Sequence, residues 1–324
     1  MTLKNDRTLP DSAPINFRGG IIRALIALLL VLAGSLYSHG ADRPVSTVYI
    51  SGSGNTALDQ HFTSLLAQQL GESISLIPIA DDQLPTITNN PVVTIGRAAT
   101  TRVHNTNPSI SVLALFSETA FINELASQFP GQISGIPYDV PLLRQALTGK
   151  AILPQATRIA LLATEESASH YDRLLQELPA YGMEARVFMV ENSDDLIPTL
   201  VRALGYGDFL LAAPDTAIYN SRTIKHILLT AYRRNMIVIG PTQAYVKAGS
   251  LASAYTPYPA MAELAARFLE NYFTDGSFPP PAYPDSYGVV TNNQVARSLN
   301  IPIPDKSEIG EMVQKALSAH KGDG

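Results

Sequence analysis

The side chains able to do chemistry in this chain stand in short polar turns that follow apolar runs. Ser51, Ser53 and Asn55 belong to SGSGN at 51–55, and Arg97 directly follows Gly96. Ser117 and Glu118 follow the run at 109–116, and Thr164 and Glu165 follow 158–162. Asp215 and Ser221 come after 208–213, and Thr242 after 236–239. Hydroxyls, amides, a guanidinium and carboxylates at such turns are the groups that orient a small polar solute rather than transform it. A Gly-rich turn between strand and helix aims backbone N–H groups at an anion, so 51–55 could receive a ligand carboxylate. It lacks the spacing of a dinucleotide fingerprint or a P-loop. Arg97 could hold a carboxylate bidentately or stand solvated at the surface. Asp215 is equally suited to satisfying N–H groups of its own turn, and Ser221 to capping the helix that follows it. Tyr219, Tyr245 and Tyr255 would line a pocket or pack beside strands.

The elements that must position these groups follow a strand–turn–helix order. Runs at 48–50, 74–79, 91–95 and 109–116 read as strands, with an amphipathic helix over 58–70 and another after Gly96. The alternation predicts a parallel sheet with helices on both faces. A second series begins at 158–162, with helices over 171–178 and 196–204 and strands at 185–190 and 208–213. In 207–251 the helix reads from Ile224, Ile227, Leu228, Ala231 and Tyr232 at three-to-four spacing. Parallel strands joined by that helix put the turns after 213 and 239 at one carboxyl edge, where open α/β folds bind ligands. A long helix over 259–273, a strand at 287–290 and a terminal helix over 307–319 complete the chain.

The order "PD", S-R-T-I, LLTAYR, I-V-I-G and AYV-AG within 207–251 resembles the ABC transporter substrate-binding family related to the tryptophan and tyrosine binding proteins. NNQVARSLNIPIPD resembles its C-terminal return, and VVTIG, SISVLALF and 132–135 resemble its first-lobe strands more loosely. The resemblance implies an α/β fold of two Rossmann-like lobes with parallel sheets and a hinge, the type 1 periplasmic binding protein. It implies a first lobe over 41–150 joined by a return of 288–324, and a second lobe over 151–287. It implies a small amino-acid-like or carboxylated ligand in the interlobe cleft, an ABC permease as membrane partner, and no cofactor. Asp215 would then face the ligand amine, and Ser53 and Ser117 would offer hydroxyls to its carboxylate. Two departures stand out: a short segment between the first and third strands, and arginine at 97 where the family commonly has small hydroxyl or apolar residues. They leave room for a sensor or accessory subunit that keeps the fold without high-affinity transport.

Composition excludes several classes. The 324 residues are 46% hydrophobic and 16% charged, enough apolar content for real cores. A net charge of −5, with no basic cluster beyond the N-terminus, argues against a nucleic-acid partner. With no cysteine there is no disulfide, thiolate metal site or lipoprotein anchor. The six histidines form no HExxH pair, so no metal site is expected, and no GxSxG elbow indicates a hydrolase. Residues 1–40 read as a cleavable secretory signal peptide: a basic n-region, the apolar run ALIALLLVLAG, and small residues before Ala41. The expected destination is the periplasm.

Overall fold

The computed structural model describes Thr2, residues 46–213 and residues 215–321. The expected signal peptide lies outside them. Among the described residues no helix is long and apolar enough to cross a membrane.

Short runs of Val, Ile and Leu bury on both faces, which suits strands sandwiched between helices. They build a first, wholly parallel sheet from β1 (Ser46–Ser51), β2 (Ile74–Pro78), β3 (Val92–Ile95), β4 (Val112–Leu115) and β5 (Ile133–Ile136), in the order β2-β1-β3-β4-β5. Helices α1 (Thr56–Leu70), α2 (Arg97–Thr106) and α3 (Thr119–Gln128) connect them. Between β2 and β3 stands only a 3-10 segment, Asp81–Thr86, in keeping with the shortened connection read from the sequence.

The second sheet holds β6 (Arg158–Ala163), β7 (Glu184–Met189), β8 (Phe209–Leu211), β9 (Ile237–Ile239), β10 (Ala252–Tyr255) and β11 (Gly288–Thr291). Its order is β11-β10-β9-β8-β6-β7, so the first five strands repeat the winding of the first sheet. Only β11 is antiparallel. The helices in this half are α4 (Leu142–Ile152), α5 (Asp172–Glu177), α6 (Leu196–Tyr206), α7 (Ile224–Tyr232) and α8 (Gln243–Ala248). After them come α9 (Tyr258–Asp275), α10 (Asn293–Ser298) and α11 (Lys306–Lys321).

The lobe membership of four helices and one strand departs from the expected division. Ala146, Leu147 and Ile152 of α4 share a core with Ile159, Leu161, Phe209 and Leu211 of the second sheet. The long helix α9 goes the other way: Met261, Leu264, Ala265, Phe268 and Leu269 pack with Phe62, Leu66 and Leu70 of α1 in the first lobe. Residues 288–321 do not return to the first lobe. β11 pairs with β10, and Ile309 and Val313 of α11 enter the second core. Among the described residues the chain therefore crosses between lobes three times, at 137–141, at 256–257 and at 283–287, and each lobe is completed by a helix from beyond a crossing. Apolar spacing along a helix tells that one face is buried, not which sheet receives it.

Candidate functional site

Because every strand but β11 is parallel, the turns after β1, β3, β4 and β5 lie along one edge of the first sheet, and those after β6, β8 and β9 along one edge of the second. In such doubly wound sheets this carboxyl edge is where ligands bind.

In the first lobe the Gly-rich turn is already filled from within. The Asp59 carboxylate, one turn into α1, accepts from Ser53 N at 3.0 Å, Ser53 Oγ at 2.7 Å and Gly54 N at 3.3 Å. Asn55 caps α1, accepting from Leu58 N at 3.2 Å. Ser51 is buried and accepts from an Arg102 guanidinium nitrogen at 3.1 Å, while Arg102 Nε donates to Asp81 at 2.8 Å. Ser117 is only 1% exposed, and its Oγ reaches the Leu115 carbonyl at 3.5 Å. Arg97 and Glu118 also face outward, with only one long contact between them: their nearest atoms are 3.5 Å apart. They open α2 and α3, the helices that follow the neighbouring strands β3 and β4. The Arg97 guanidinium carbon sits 4.5 Å from the centroid of the Phe121 ring.

An aromatic cluster adjoins them. Phe116, the first residue past β4, has φ +55°, a left-handed conformation that costs a bulky residue about 1–2 kcal/mol. Its ring meets Phe62 at 5.0 Å and Tyr258 at 5.1 Å, both edge-on. Tyr258, at the start of α9, remains 40% exposed.

In the second lobe Asp215 organises its own turn. It is 8% exposed. One carboxylate oxygen accepts from Ala217 N at 2.8 Å and Ile218 N at 3.2 Å. The other accepts short from Ser167 Oγ and at 3.3 Å from Thr164 Oγ1. Thr164 is thus tied to Asp215 across two turns, while Glu165 is exposed. Ser221 is exposed and lies ahead of the helix start, because the N-cap position of α7 belongs to Thr223. Asn220 instead organises that turn, accepting from Arg222 N at 3.0 Å and Thr223 N at 3.3 Å. Thr242 occupies the N-cap position of α8 without making a side-chain cap. Of the tyrosines, Tyr219 is buried beneath the turn, Tyr245 donates to the Tyr219 carbonyl, and Tyr255 lies over Gly288.

Between the lobes, Tyr138, Asp139, Val140 and Leu142 meet Gln145, Pro241 and Thr242 around a small recess. Gln145, 1% exposed, donates to the Ala254 carbonyl at 2.9 Å and accepts from Ala254 N at 2.8 Å, fastening α4 to β10. Asp139 accepts from Thr119 N at 2.9 Å and Thr119 Oγ1 at 2.8 Å, and Thr119 Oγ1 also meets the Tyr283 hydroxyl. Two crossings are thereby joined at the head of α3. Burial raises the Asp139 carboxyl above the usual carboxylate range, against the lowering effect of the Thr119 hydrogen bonds. Burial, and then the charges of Glu118 and Asp139, push Tyr138 up to about 12.

Among the described residues no group of three or more His, Asp or Glu side chains could hold a metal ion. Asp59, Phe116, Phe121, Tyr138, Gln145 and Tyr258 are the edge residues that sequence reasoning missed. Asp59 sat in plain view as a first-turn acid of α1, whereas the backbone twist at Phe116 leaves no compositional trace.

No family model and no curated protein matches the sequence. Solved structures do share the fold. The ligand-free, open structure of a substrate binding protein with adhesive properties from Clostridium difficile matches with a TM-score of 0.65 and 15% identity, over 82% of this chain and 98% of that one. An ABC domain in complex with L-Trp from Streptococcus pneumonia gives 0.54 and 15%, over 80% and 96%. A conserved domain protein from Vibrio cholerae gives 0.52 and 17%, over 81% and 96%. The chain has the two-lobed α/β fold of type 1 periplasmic binding proteins.

Proposed function

We propose that the chain is a periplasmic solute-binding protein, exported by its N-terminal signal peptide, that delivers a small amino-acid-like or carboxylated solute to an ABC permease. The observation that carries this reading is the hinge. Three crossings connect two lobes whose parallel sheets each collect polar turns at the carboxyl edge. A solute held by both edges has its full set of contacts only when the lobes close, so binding shifts the population toward closure. Support comes from the fold shared with a substrate binding protein in its open form and with an L-Trp-bound ABC domain.

A thermal-shift screen of the purified protein against amino acids, small carboxylates, sugars and purines tests it. A ligand at about one hundred times its dissociation constant adds about 2.7 kcal/mol and raises the melting temperature by several degrees. Small-angle scattering with that ligand should show a smaller radius of gyration. A protein that melts cooperatively yet responds to no compound favours a second reading, a sensor or accessory subunit. The occupied Gly-rich turn and the short 3-10 connection between β2 and β3 are the observations behind that alternative.

A further inference from the structure

We propose that Arg97 and Glu118 together form the head-group site of the first lobe, Arg97 receiving the carboxylate and Glu118 the ammonium of an α-amino acid. The inference rests on the solute-binding reading; of the groups that the sequence offered it keeps Arg97 for the carboxylate, sets aside Ser53 and Ser117, and moves the ammonium from Asp215 to Glu118. Three observations carry it. First, the competing positions are engaged. The N–H groups of Ser53 and Gly54 point at the Asp59 carboxylate, whose negative charge repels a second anion from that turn. Ser117 is buried against a backbone carbonyl, and both Asp215 oxygens accept from protein donors.

Second, Arg97 and Glu118 are the opposite case. Their side chains are 63% and 39% exposed, and they touch through one long contact of 3.5 Å. An exposed pair at that separation holds its partners weakly, so a zwitterion can exchange with it at little cost. A zwitterion also keeps the site neutral, since each charge of the ligand meets its opposite. Third, the doublet is positioned. Phe121 lies under the guanidinium and limits its rotamers. Glu118 stands at the N-cap position of α3, and the next residue, Thr119, is bonded to Asp139 in the first crossing, so the doublet adjoins the interlobe space. Next to it, the rings of Phe116 and Tyr258 form an apolar wall on which a side chain of the solute can rest.

The purified full chain, titrated calorimetrically with each of the twenty L-α-amino acids, provides the test. At least one should bind, and Arg97→Met and Glu118→Gln should each weaken it by about tenfold to a hundredfold, the range for a lost charge-assisted hydrogen bond. The carboxamide of that amino acid should bind poorly to the wild type but no worse to Arg97→Met than the amino acid itself does. Its N-acetyl derivative should behave likewise toward Glu118→Gln. Both side chains are exposed, so circular dichroism melts should match the wild type; should Arg97→Met melt early, Arg97→Lys replaces it and is expected to bind at an intermediate level. Wild-type affinity in both variants, or analogue penalties that persist undiminished in them, overturns the assignment. Binding of a sugar or purine but of no amino acid also overturns it and leaves the solute-binding reading standing. Binding of nothing at all removes both.

Discussion

At Asp215 a single carboxylate does the work of a small scaffold. It takes two backbone N–H groups of its own turn and two hydroxyls from the turn after β6, holding the ends of neighbouring strands together. Each acceptor removed strands a donor that is partly or wholly buried, so Asp215→Ala is expected to cost about 2–3 kcal/mol with no ligand present. A urea titration would show this as a lower midpoint at unchanged slope; an unchanged midpoint would mean that the donors find other acceptors. Asp59 is the half-buried counterpart. Asp59→Ala should cost only about 0.5–1.5 kcal/mol, yet it empties the Gly-rich turn. The amide resonances of Ser53 and Gly54, indifferent to inorganic phosphate in the wild type, should then respond to it. Amide resonances as inert in the variant as in the wild type would show that the turn needs Asp59 to keep its shape.

At the scale of elements, the two sheets are wound alike, but helices are exchanged between lobes, and each exchange demands a close fit. Gly149 shows how close: a Cβ there would lie 2.6 Å from the Phe209 ring, so α4 can reach β8 only with glycine at this point. Gly149→Ala improves helix propensity by about 1 kcal/mol and overpacks the contact by about 1–3 kcal/mol. The net expectation is a loss of up to about 2 kcal/mol in a denaturant titration. A stabilised variant would show that the Phe209 ring turns aside freely. Gly149 also marks where the sequence stopped being legible. The strands, their parallel order and the turns after 213 and 239 follow from apolar runs, punctuating Gly and Pro, and the handedness of crossover connections. The residence of α4, α9 and α11 does not, because Leu147 or Phe268 announces a buried face without naming the sheet that covers it. The same limit applies to the turns. Ser51, Ser117 and Asp215 were legible as polar groups at strand ends, but whether a hydroxyl or carboxylate faces outward or into its own backbone depends on a rotamer set by neighbours far along the chain. Arg102, which takes up Ser51, stands 51 residues away.

At the scale of the whole molecule the two lobes share three strands of chain, and Asp139 sits where they can be coupled. It accepts from Thr119 at the head of α3, and Thr119 in turn meets Tyr283 in the third crossing. The surrounding protein desolvates this carboxylate, and Glu118 adds a like charge. Its ionised form is therefore disfavoured in the folded protein, even though the Thr119 bonds oppose the shift. Since the folded pKa lies above the unfolded one, the stability it lends is fully present below the ordinary carboxylate range near pH 4 and is lost as pH rises through the folded value. Most carboxylates that are paired in a fold behave in the reverse sense. Asp139→Asn keeps an acceptor for Thr119 N and is neutral at every pH, so it lacks this component. Melting temperatures followed from about pH 4 to about pH 7 should consequently rise more steeply, or fall less, in the variant than in the wild type, with the two curves diverging toward neutral pH. Parallel curves would show that solvent reaches Asp139 when the lobes move and that the coupling through Thr119 and Tyr283 is too loose to hold the crossings in register.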